Sequence, residues 1–312
     1  MIEASAPLRF SLGGGGTDLP VFASQFGGFV CTAAVDHRVV VHITAHAADE
    51  EEAPIVRSAK ERLGVPGVSV RSVGHDATTC GAGLGSSGSF TVAVVAGLLA
   101  AKGEPIERAR IAEVAYELER EVLGAPIGRQ DPTIAAYGGM ISLCIEPGGD
   151  LRVREELATP DTIERLERHL VAFFSGQTRA AHGVLADQSA RVGVAQSDEA
   201  LAMHRIKELG KDVETILRRG EVARLGALFD EHWQCKRRAS PRISSASFDE
   251  TYALARSLGA DGGKLMGAGG GGYWLFFVTP SRRRGLLEGL TTRGLEPFPF
   301  RFSREGVRVR RV

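Results

Sequence analysis

Three glycine-rich segments constrain the fold of this chain more than any other feature of its sequence. They occupy residues 13–18, 81–89 and 267–272, and we name them the first, second and third loops. The chain holds 39 glycines in 312 residues, well above the share of about 7% that is usual in proteins. Glycine at this density costs conformational entropy, so we expect positive φ angles or close approaches of the backbone in each loop. Such loops are typical of phosphate-binding sites.

The second loop runs into an Ala-, Val- and Leu-rich stretch that ends at residue 101. This pattern predicts a loop that opens directly into a buried helix, whose free N–H groups and positive end can face an anion. Ser86 and Ser87 add hydroxyls at the start of this helix. One of them can bind a phosphate oxygen and the other a phosphate-bound Mg²⁺, which prefers oxygen ligands. N-capping of the helix is the alternative role of the two serines.

Two better-known nucleotide motifs fit this chain poorly. The spacing of the dinucleotide fingerprint occurs twice, at residues 83–88 and 267–272. That fingerprint also needs a preceding hydrophobic strand and an acidic residue at the end of a later strand. Residues 75–80 form no such strand, and Glu104 follows a predicted helix. The Lys-Ser/Thr pair of the P-loop is absent as well, so the sequence favours neither an NAD enzyme nor a P-loop NTPase.

Phosphoryl transfer also needs charge stabilisation and often a base near the accepting hydroxyl. Asp131 lies in the segment Gly-Arg-Gln-Asp-Pro, and Arg9 lies in a predicted strand just before the first loop. The helix predicted over 105–123 carries Glu119 and Glu121 on opposite sides of its apolar stripe. Either glutamate could reach a site at the edge of the helix, and helical periodicity does not choose between them.

The remaining pattern predicts an α+β protein of two domains, 1–158 and 159–312, with the boundary in the polar stretch around 150–159. Apolar and β-branched runs predict strands at 8–12, 29–35, 38–44, 68–73, 140–145, 170–174, 273–278, 299–303 and 306–312. Helical spacing predicts further helices at about 179–190, 198–219, 222–237, 248–258 and 282–292. Residues 127–140 are expected to form a loop or a short helix.

Taken in order, the motifs resemble those of the GHMP kinases. The resemblance is carried by residues 6–11 running into the first loop, by the second loop, and by Lys-Leu-Met followed by the third loop. Finer features resemble the D-glycero-D-manno-heptose 7-phosphate kinase branch; they lie at residues 13–20, 128–131, 178–179, 231–237 and 262–264. Two departures are Thr79-Cys80, where a proline is usual, and Gly88 after the paired serines.

The resemblance implies an N-terminal domain similar to ribosomal protein S5 domain 2 and a ferredoxin-like C-terminal domain, with ATP and Mg²⁺ as cofactors. It implies Asp131 as the base or orienting carboxylate, Arg9 as its cationic partner, and Ser87 with Glu119 as Mg²⁺ ligands. The ATP-binding residues it implies are Gly81, Ala82, Gly83, Leu84, Gly85, Ser86 and Ser87. The substrate-binding residues are Gly15, Gly16, Thr17, Asp18, Arg129, Asp131, Arg179, Gly269 and Gly270. Lys236 and Arg237 are further candidates to bind a substrate phosphate.

The function that this resemblance implies is transfer of the γ-phosphoryl group of ATP to the anomeric hydroxyl of a heptose 7-phosphate. A fucose or galactose 1-kinase is the nearest alternative. A non-catalytic nucleic-acid-binding module is an alternative from another class, because the N-terminal fold is shared with a ribosomal protein. The charges argue against it, since 38 Lys and Arg residues balance 38 Asp and Glu residues, and aromatic residues make up only 6%.

Compartment and partners follow from simpler features. The first residues have no basic and apolar regions of a secretory signal, and the longest apolar run, 92–101, is too short to span a bilayer. The four cysteines are far apart in the sequence, which is typical of reduced thiols. We therefore expect a cytoplasmic protein whose partner is a small-molecule sugar phosphate, with no nucleic acid, no membrane, and a homodimer as a possible assembly.

Overall fold

The structure is a computed structural model that describes residues 1–45, 52–73, 82–124, 127–177, 197–240 and 242–312. Its described strands form two antiparallel sheets, and helices pack against both. The α+β class predicted from the sequence is therefore confirmed. No helix in these ranges combines the length and the apolar character that crossing a bilayer would require.

The first sheet has six strands in the described chain, in the order β10-β1-β2-β4-β5 with β3 also paired to β2. These strands are β1 (Ile2–Gly13), β2 (Gly28–Thr44), β3 (Ser69–Val73), β4 (Met140–Ile145), β5 (Leu151–Arg154) and β10 (Arg308–Arg311). The helices of this half are α1 (Pro20–Phe26), α2 (Pro54–Leu63), α3 (Ser86–Lys102), α4 (Arg108–Leu123) and α5 (Gln130–Tyr137). Helix α3 is apolar on all sides, and it is buried because the sheet and the helices α2, α4 and α5 surround it.

The second sheet has four described strands in the order β7-β8-β6-β9. They are β6 (Leu170–Phe174), β7 (Ala260–Leu265), β8 (Tyr273–Val278) and β9 (Glu296–Phe298). Its helices are α6 (Pro160–His169), α7 (Asp198–Arg219), α8 (Leu225–Ala239), α9 (Ala246–Ser257) and α10 (Arg283–Thr292), with a 3-10 turn at Val222–Arg224. The central strand β8 is buried along its whole length, as a run of aromatic and aliphatic residues predicts.

One hydrophobic core joins the two halves. It contains Phe10 and Leu12 of β1 together with Phe229 of α8 and Tyr273 of β8, all of them buried. Met266, just before the third loop, belongs to the same cluster. The loops that follow β1 and β7 are therefore held at the junction of the two sheets, on a surface that cannot shift without disturbing the core.

Several predicted elements differ from the structure. The strands expected at 29–35 and 38–44 are one strand, β2, because β1 pairs with it on both sides of a register shift near Pro7. The strand expected at 299–303 does not form; residues 296–298 pair with β6 instead, and Phe302 makes a single bridge to Val35. The terminal strand β10 pairs with β1, so its residues do not lie with the C-terminal domain predicted over 159–312. The helix expected at 179–190 lies outside the described residues.

Candidate active site

An ion pair between Arg9 and Asp131 lies at the centre of the site. Arg9 Nε donates to Asp131 Oδ1 at 2.7 Å and Nη2 donates to Oδ2 at 2.9 Å, which makes the contact bidentate. Arg9 lies in β1 and its side chain is 7% exposed, whereas that of Asp131, in the first turn of α5, is 32% exposed. The arginine therefore fixes the carboxylate from the protein side and leaves part of it open to solvent. The structure brings the predicted base and its cationic partner together.

Two glycines allow this ion pair to lie against the start of α3. Gly85, the N-cap of the helix, has φ +77°, and a Cβ there would lie 3.3 Å from Asp131 Cγ. A Cβ on Gly88 would lie 2.8 Å from Asp131 Cβ, closer than real side chains allow. The departure at Gly88 therefore has a physical reason, since only glycine lets α3 and α5 approach this closely.

Hydrogen bonds to main-chain carbonyl groups hold the second loop on β1. Arg9 Nη1 donates to the carbonyl of Gly83, and the Arg9 amide donates to the carbonyl of Leu84 at 2.9 Å. Ser89 Oγ donates to the carbonyl of Pro7 at 2.7 Å. The N-cap of α3 is Gly85, and no side-chain cap is seen there among the described residues, so the alternative role of Ser86 and Ser87 as N-caps is not observed. The positive end of a 17-residue helix thus lies beside Asp131.

Ser87 contacts Glu119, and this contact separates the two candidate glutamates of α4. Ser87 Oγ donates to Glu119 Oε1, while Glu121 pairs with Arg62 at 3.0 Å on the surface. Glu119 is buried, and burial, reinforced by the charge of Asp131, raises its pKa to about 7. A hydroxyl and a carboxylate side by side fit the oxygen ligands that Mg²⁺ prefers. In the described chain no three His, Cys, Asp or Glu side chains cluster as a metal site of their own.

Asp18 joins the first loop to the segment before Asp131. Its Oδ2 accepts from the Gln130 amide at 2.9 Å and its Oδ1 from the Gly16 amide at 3.2 Å. Burial is the main cause that raises the pKa of Asp18. Thr17 is fully buried and its hydroxyl donates to the carbonyl of Gly14 at 2.8 Å, so it holds the loop internally. Gly15 and Gly16 are half-buried at the same loop.

The third loop packs directly on the second. A Cβ on Gly267 would overlap Gly83, and one on Gly272 would overlap the carbonyl of Ala82. Gly270 donates its amide to the carbonyl of Ile243 at 3.0 Å. The predicted substrate residues Gly269 and Gly270 therefore belong to a loop that touches the predicted ATP-binding loop.

Each of the predicted phosphate-binding cations within the described residues is engaged by another group of the protein. Arg129 pairs with Glu113 and stacks on Tyr116, 4.3 Å from its ring centre, beside a separate hollow of about 330 Å³. Arg237 pairs with Asp249 at 2.9 Å. Lys236 is buried and its ammonium donates to main-chain carbonyls. Gly81 and Arg179 lie outside the described residues.

Sequence reasoning missed Gln130 as part of the site. Its side-chain oxygen accepts from Ser11 Oγ at 3.1 Å, and its main-chain N–H donates to Asp18 Oδ2. Gln130 thereby ties β1, the first loop and α5 together next to Asp131. Its place directly before Asp131 was the signal available in the sequence, but a buried hydrogen bond to a residue 119 positions away leaves no periodic pattern.

Comparison with known proteins gives one consistent family. The model of the GHMP kinase N-terminal domain matches residues 53–139, and that of the C-terminal domain matches residues 213–294. The D-glycero-alpha-D-manno-heptose 7-phosphate kinase of Campylobacter jejuni is 28% identical over 348 aligned positions, covering 100% of this chain and 99% of that protein. The bifunctional fucokinase/GDP-fucose pyrophosphorylase of Arabidopsis thaliana is 32% identical over 207 positions, covering 65% of this chain and 19% of that protein.

The fold is also similar to solved structures. A D-glycero-D-manno-heptose 1-phosphate kinase from Bacteroides thetaiotaomicron superimposes with a TM-score of 0.78 at 21% identity, covering 100% of this chain and 99% of that chain. At this identity the likeness supports the fold alone. The fold it supports is the two-domain architecture that the resemblance implied.

Proposed function

We propose that this chain, which belongs to the GHMP kinases by the match of both its halves, phosphorylates the anomeric hydroxyl of D-glycero-alpha-D-manno-heptose 7-phosphate with ATP. The chain is a kinase of this family, and the relative that matches it from end to end bears the name of that reaction. The finer assignment, the heptose phosphate as acceptor and the 1,7-bisphosphate as product, is the part that we propose.

The observation that carries the proposal is the bidentate Arg9–Asp131 pair at the N-terminus of α3. In this mechanism the phosphates of ATP lie along the second loop, where main-chain amides and the helix end stabilise their charge. Asp131 accepts the proton of the anomeric hydroxyl as its oxygen attacks the γ-phosphorus and the bond to the β-phosphate oxygen breaks. An anomeric hydroxyl is more acidic than an ordinary alcohol, which suits a carboxylate base.

Arg9 orients the carboxylate of Asp131 through both contacts. Ser87 and Glu119 would hold Mg²⁺, which offsets the negative charge of the phosphates when bound. Burial raises the pKa of Glu119 to about 7, and a bound cation would favour the ionised form of this carboxyl. Asp18 holds the first loop in place for the sugar.

A coupled assay of ADP release tests the proposal. Purified protein would be offered heptose 7-phosphate, the unphosphorylated heptose, fucose, galactose and mevalonate, and phosphorus NMR would identify the phosphorylated carbon. We expect the highest kcat/KM for the heptose 7-phosphate, with the new phosphate on carbon 1. A higher kcat/KM for any of the other acceptors would contradict the substrate, and transfer to another carbon would contradict the mechanism.

A fucose or galactose 1-kinase is a second candidate that a specific observation favours. Of the cations expected to hold a substrate phosphate, Arg129, Arg237 and Lys236 are each engaged by other groups. An unphosphorylated sugar needs none of them. The ratio of kcat/KM between the phosphorylated and unphosphorylated heptose separates the two candidates. Only a heptose 7-phosphate kinase loses activity when the phosphate is removed from the sugar.

A further inference from the structure

Three cationic side chains lie buried beneath the glycine-rich loops. Arg9, Lys236 and Lys264 are 6%, 7% and 1% exposed. Of the three, the mechanism above uses only Arg9. Buried lysines are rare unless a partner compensates the loss of hydration, so the two lysines need an explanation of their own.

Each of the three cations donates to a main-chain carbonyl at the edge of a different loop. Arg9 binds the carbonyl of Gly83 in the second loop. Lys236 Nζ binds the carbonyls of Leu265, at 3.0 Å, and of Gly267 at the start of the third loop. Lys264 Nζ binds the carbonyl of Leu12, just before the first loop, at 3.2 Å.

These contacts orient the amides of the loops. The C=O and N–H of one trans peptide unit point in opposite directions. With the Gly83 and Gly267 carbonyls turned toward buried cations, the next amides, of Leu84 and Ala268, point away from the cations. Because Gly83 and Gly267 pack on each other, the position of the third loop also limits that of the second.

The groups that face Lys236 and Lys264 in the described chain are mostly positive or neutral. Arg9 of β1 lies near both lysines, and His232 of α8 lies near them with both ring nitrogens unpartnered. The carboxylate of Asp131 on α5 pairs with Arg9, and the thiol of Cys31 on β2 lies near Lys264. Burial, together with the charge of Arg9, lowers the pKa of Lys236 to about 7. Among the described residues, the one carboxylate of this group is already paired with Arg9, so it leaves the two lysines without an anionic partner of their own.

We propose that Lys236 is a positioning residue for the phosphates of the nucleotide: it fixes the third loop against the second and supplies buried positive charge that those phosphates neutralise. The inference rests on the proposed binding of ATP at the second loop. It assigns Lys236 to the nucleotide rather than to the phosphate of the sugar. It also predicts that nucleotide binding raises the pKa of Lys236, so that the protein takes up protons as it binds.

The first test compares Lys236→Met with Arg238→Met. Both changes replace a basic side chain of α8 with methionine, but Arg238 is exposed and has no role in the site. We expect the Kd of a non-hydrolysable ATP analogue with Mg²⁺ to rise about tenfold or more in K236M, since a charge-assisted hydrogen bond is lost, and to stay within about twofold in R238M. The KM for the sugar should change little in either variant. Thermal unfolding confirms that both are folded, and a K236M Kd equal to that of wild type overturns the inference.

The second test needs no variant. Calorimetric titration of the wild-type protein with the same analogue, in two buffers of different ionisation enthalpy at pH 8.5, measures proton uptake. At this pH Lys236 is mostly neutral before binding, so we expect uptake of several tenths of a proton per nucleotide. Binding without uptake overturns the inference while leaving the proposed function standing. A wild-type protein that does not bind the analogue overturns both.

Discussion

At the scale of single residues, Asp131 makes the sharpest prediction. Asp131→Asn keeps the shape of the side chain but cannot accept a proton from the sugar. We expect kcat to fall by about 100-fold or more, in line with typical contributions of general bases. Binding of an ATP analogue should change much less, because the second loop and α3 are untouched. The measurement is ADP release beside calorimetric binding.

Glu121→Gln is the matched control for Asp131→Asn, since it removes a carboxylate from the same half of the molecule at an exposed position. It should keep the activity of the wild type. Turnover of D131N equal to that of wild type would remove Asp131 from the mechanism.

Gly88 makes a second prediction at this scale. In Gly88→Ala the new methyl group meets Asp131 Cβ at 2.8 Å, so α3 and α5 must separate or Asp131 must turn. We expect at least about a tenfold loss of kcat, because a displaced catalytic group loses its alignment. Alanine favours a helix by up to about 1 kcal/mol over glycine, so stability should fall less than activity.

Gly285→Ala in α10 is the control for Gly88→Ala, since nothing lies within 4 Å of its new methyl group. It should keep full activity and gain up to about 1 kcal/mol of stability. Equal kinetics of G88A and wild type would show that the close approach of the two helices has no role in catalysis.

Some residues of the site could be predicted from the sequence and others could not. The motif pattern predicted that Arg9 would meet Asp131 and that Ser87 would meet Glu119, and the structure brings each pair together. Helical periodicity alone left Glu119 and Glu121 equivalent, because both flank the same apolar stripe. The burial of Lys236 was not predictable from the sequence. A lysine near the end of an amphipathic helix is expected at the surface, and only the packing of α8 on the second sheet shows that this one is buried.

At the scale of elements, long apolar patterns were predicted well and short or glycine-containing elements were not. The apolar run after the second loop correctly predicted helix α3. The amphipathic pattern over 105–123 correctly predicted helix α4. Strand β7 was missed because its sequence, Ala-Asp-Gly-Gly-Lys-Leu, has low strand propensity. Gly262 lies there against the backbone of Gly226 in α8, so tertiary contact decides the conformation.

Helix α6 was missed although its N-terminus carries a clear signal. Thr159 is the N-cap, its hydroxyl accepts from the Thr162 amide at 3.3 Å, and Pro160 follows at the first helical position. Thr159→Ala should lower the free energy of unfolding by about 1 kcal/mol, as the loss of such a cap does, and leave kcat and KM unchanged. Urea denaturation and ADP release measure the two quantities, and a loss of activity in the folded variant would contradict a purely structural role.

At the scale of the whole molecule, the resemblance implied an architecture of two domains, and matches to both GHMP kinase domains bear out that fold. The return of the chain to the first sheet through β10 was not predicted. The alternation of Val307 and Val309 with arginines predicts a strand but does not identify its partner, and only the pairing with β1 places it. The two halves are therefore joined by backbone as well as by the shared core.

Stability of the whole protein should rise with pH just above neutrality. Burial lowers the pKa of Lys236 to about 7 in the folded state, against about 10.4 in an unfolded chain. Between these values the unfolded state binds more protons than the folded state, so the free energy of unfolding increases with pH. One such group contributes a slope of up to about 1.4 kcal/mol per pH unit. Lys264, whose pKa is also lowered, acts in the same direction.

Between pH 7 and 8.5 the pH dependence of stability that the buried lysines cause is free of two opposing effects, that of Glu119 and that of the buried thiols. Glu119, with a pKa raised to about 7, makes stability fall as pH rises, but only below that value. The buried thiols of Cys31 and Cys235, with raised pKa values, lower stability only above the pKa of a free thiol, about 8.5. Urea denaturation across the range should show a smaller slope for Lys236→Met than for wild type, with R238M unchanged. Because buried methionine loses no hydration of a charge, the free energy of unfolding of K236M relative to wild type should be most favourable at pH 7, the lower end of the range. Parallel slopes for the two proteins would show that Lys236 stays charged throughout.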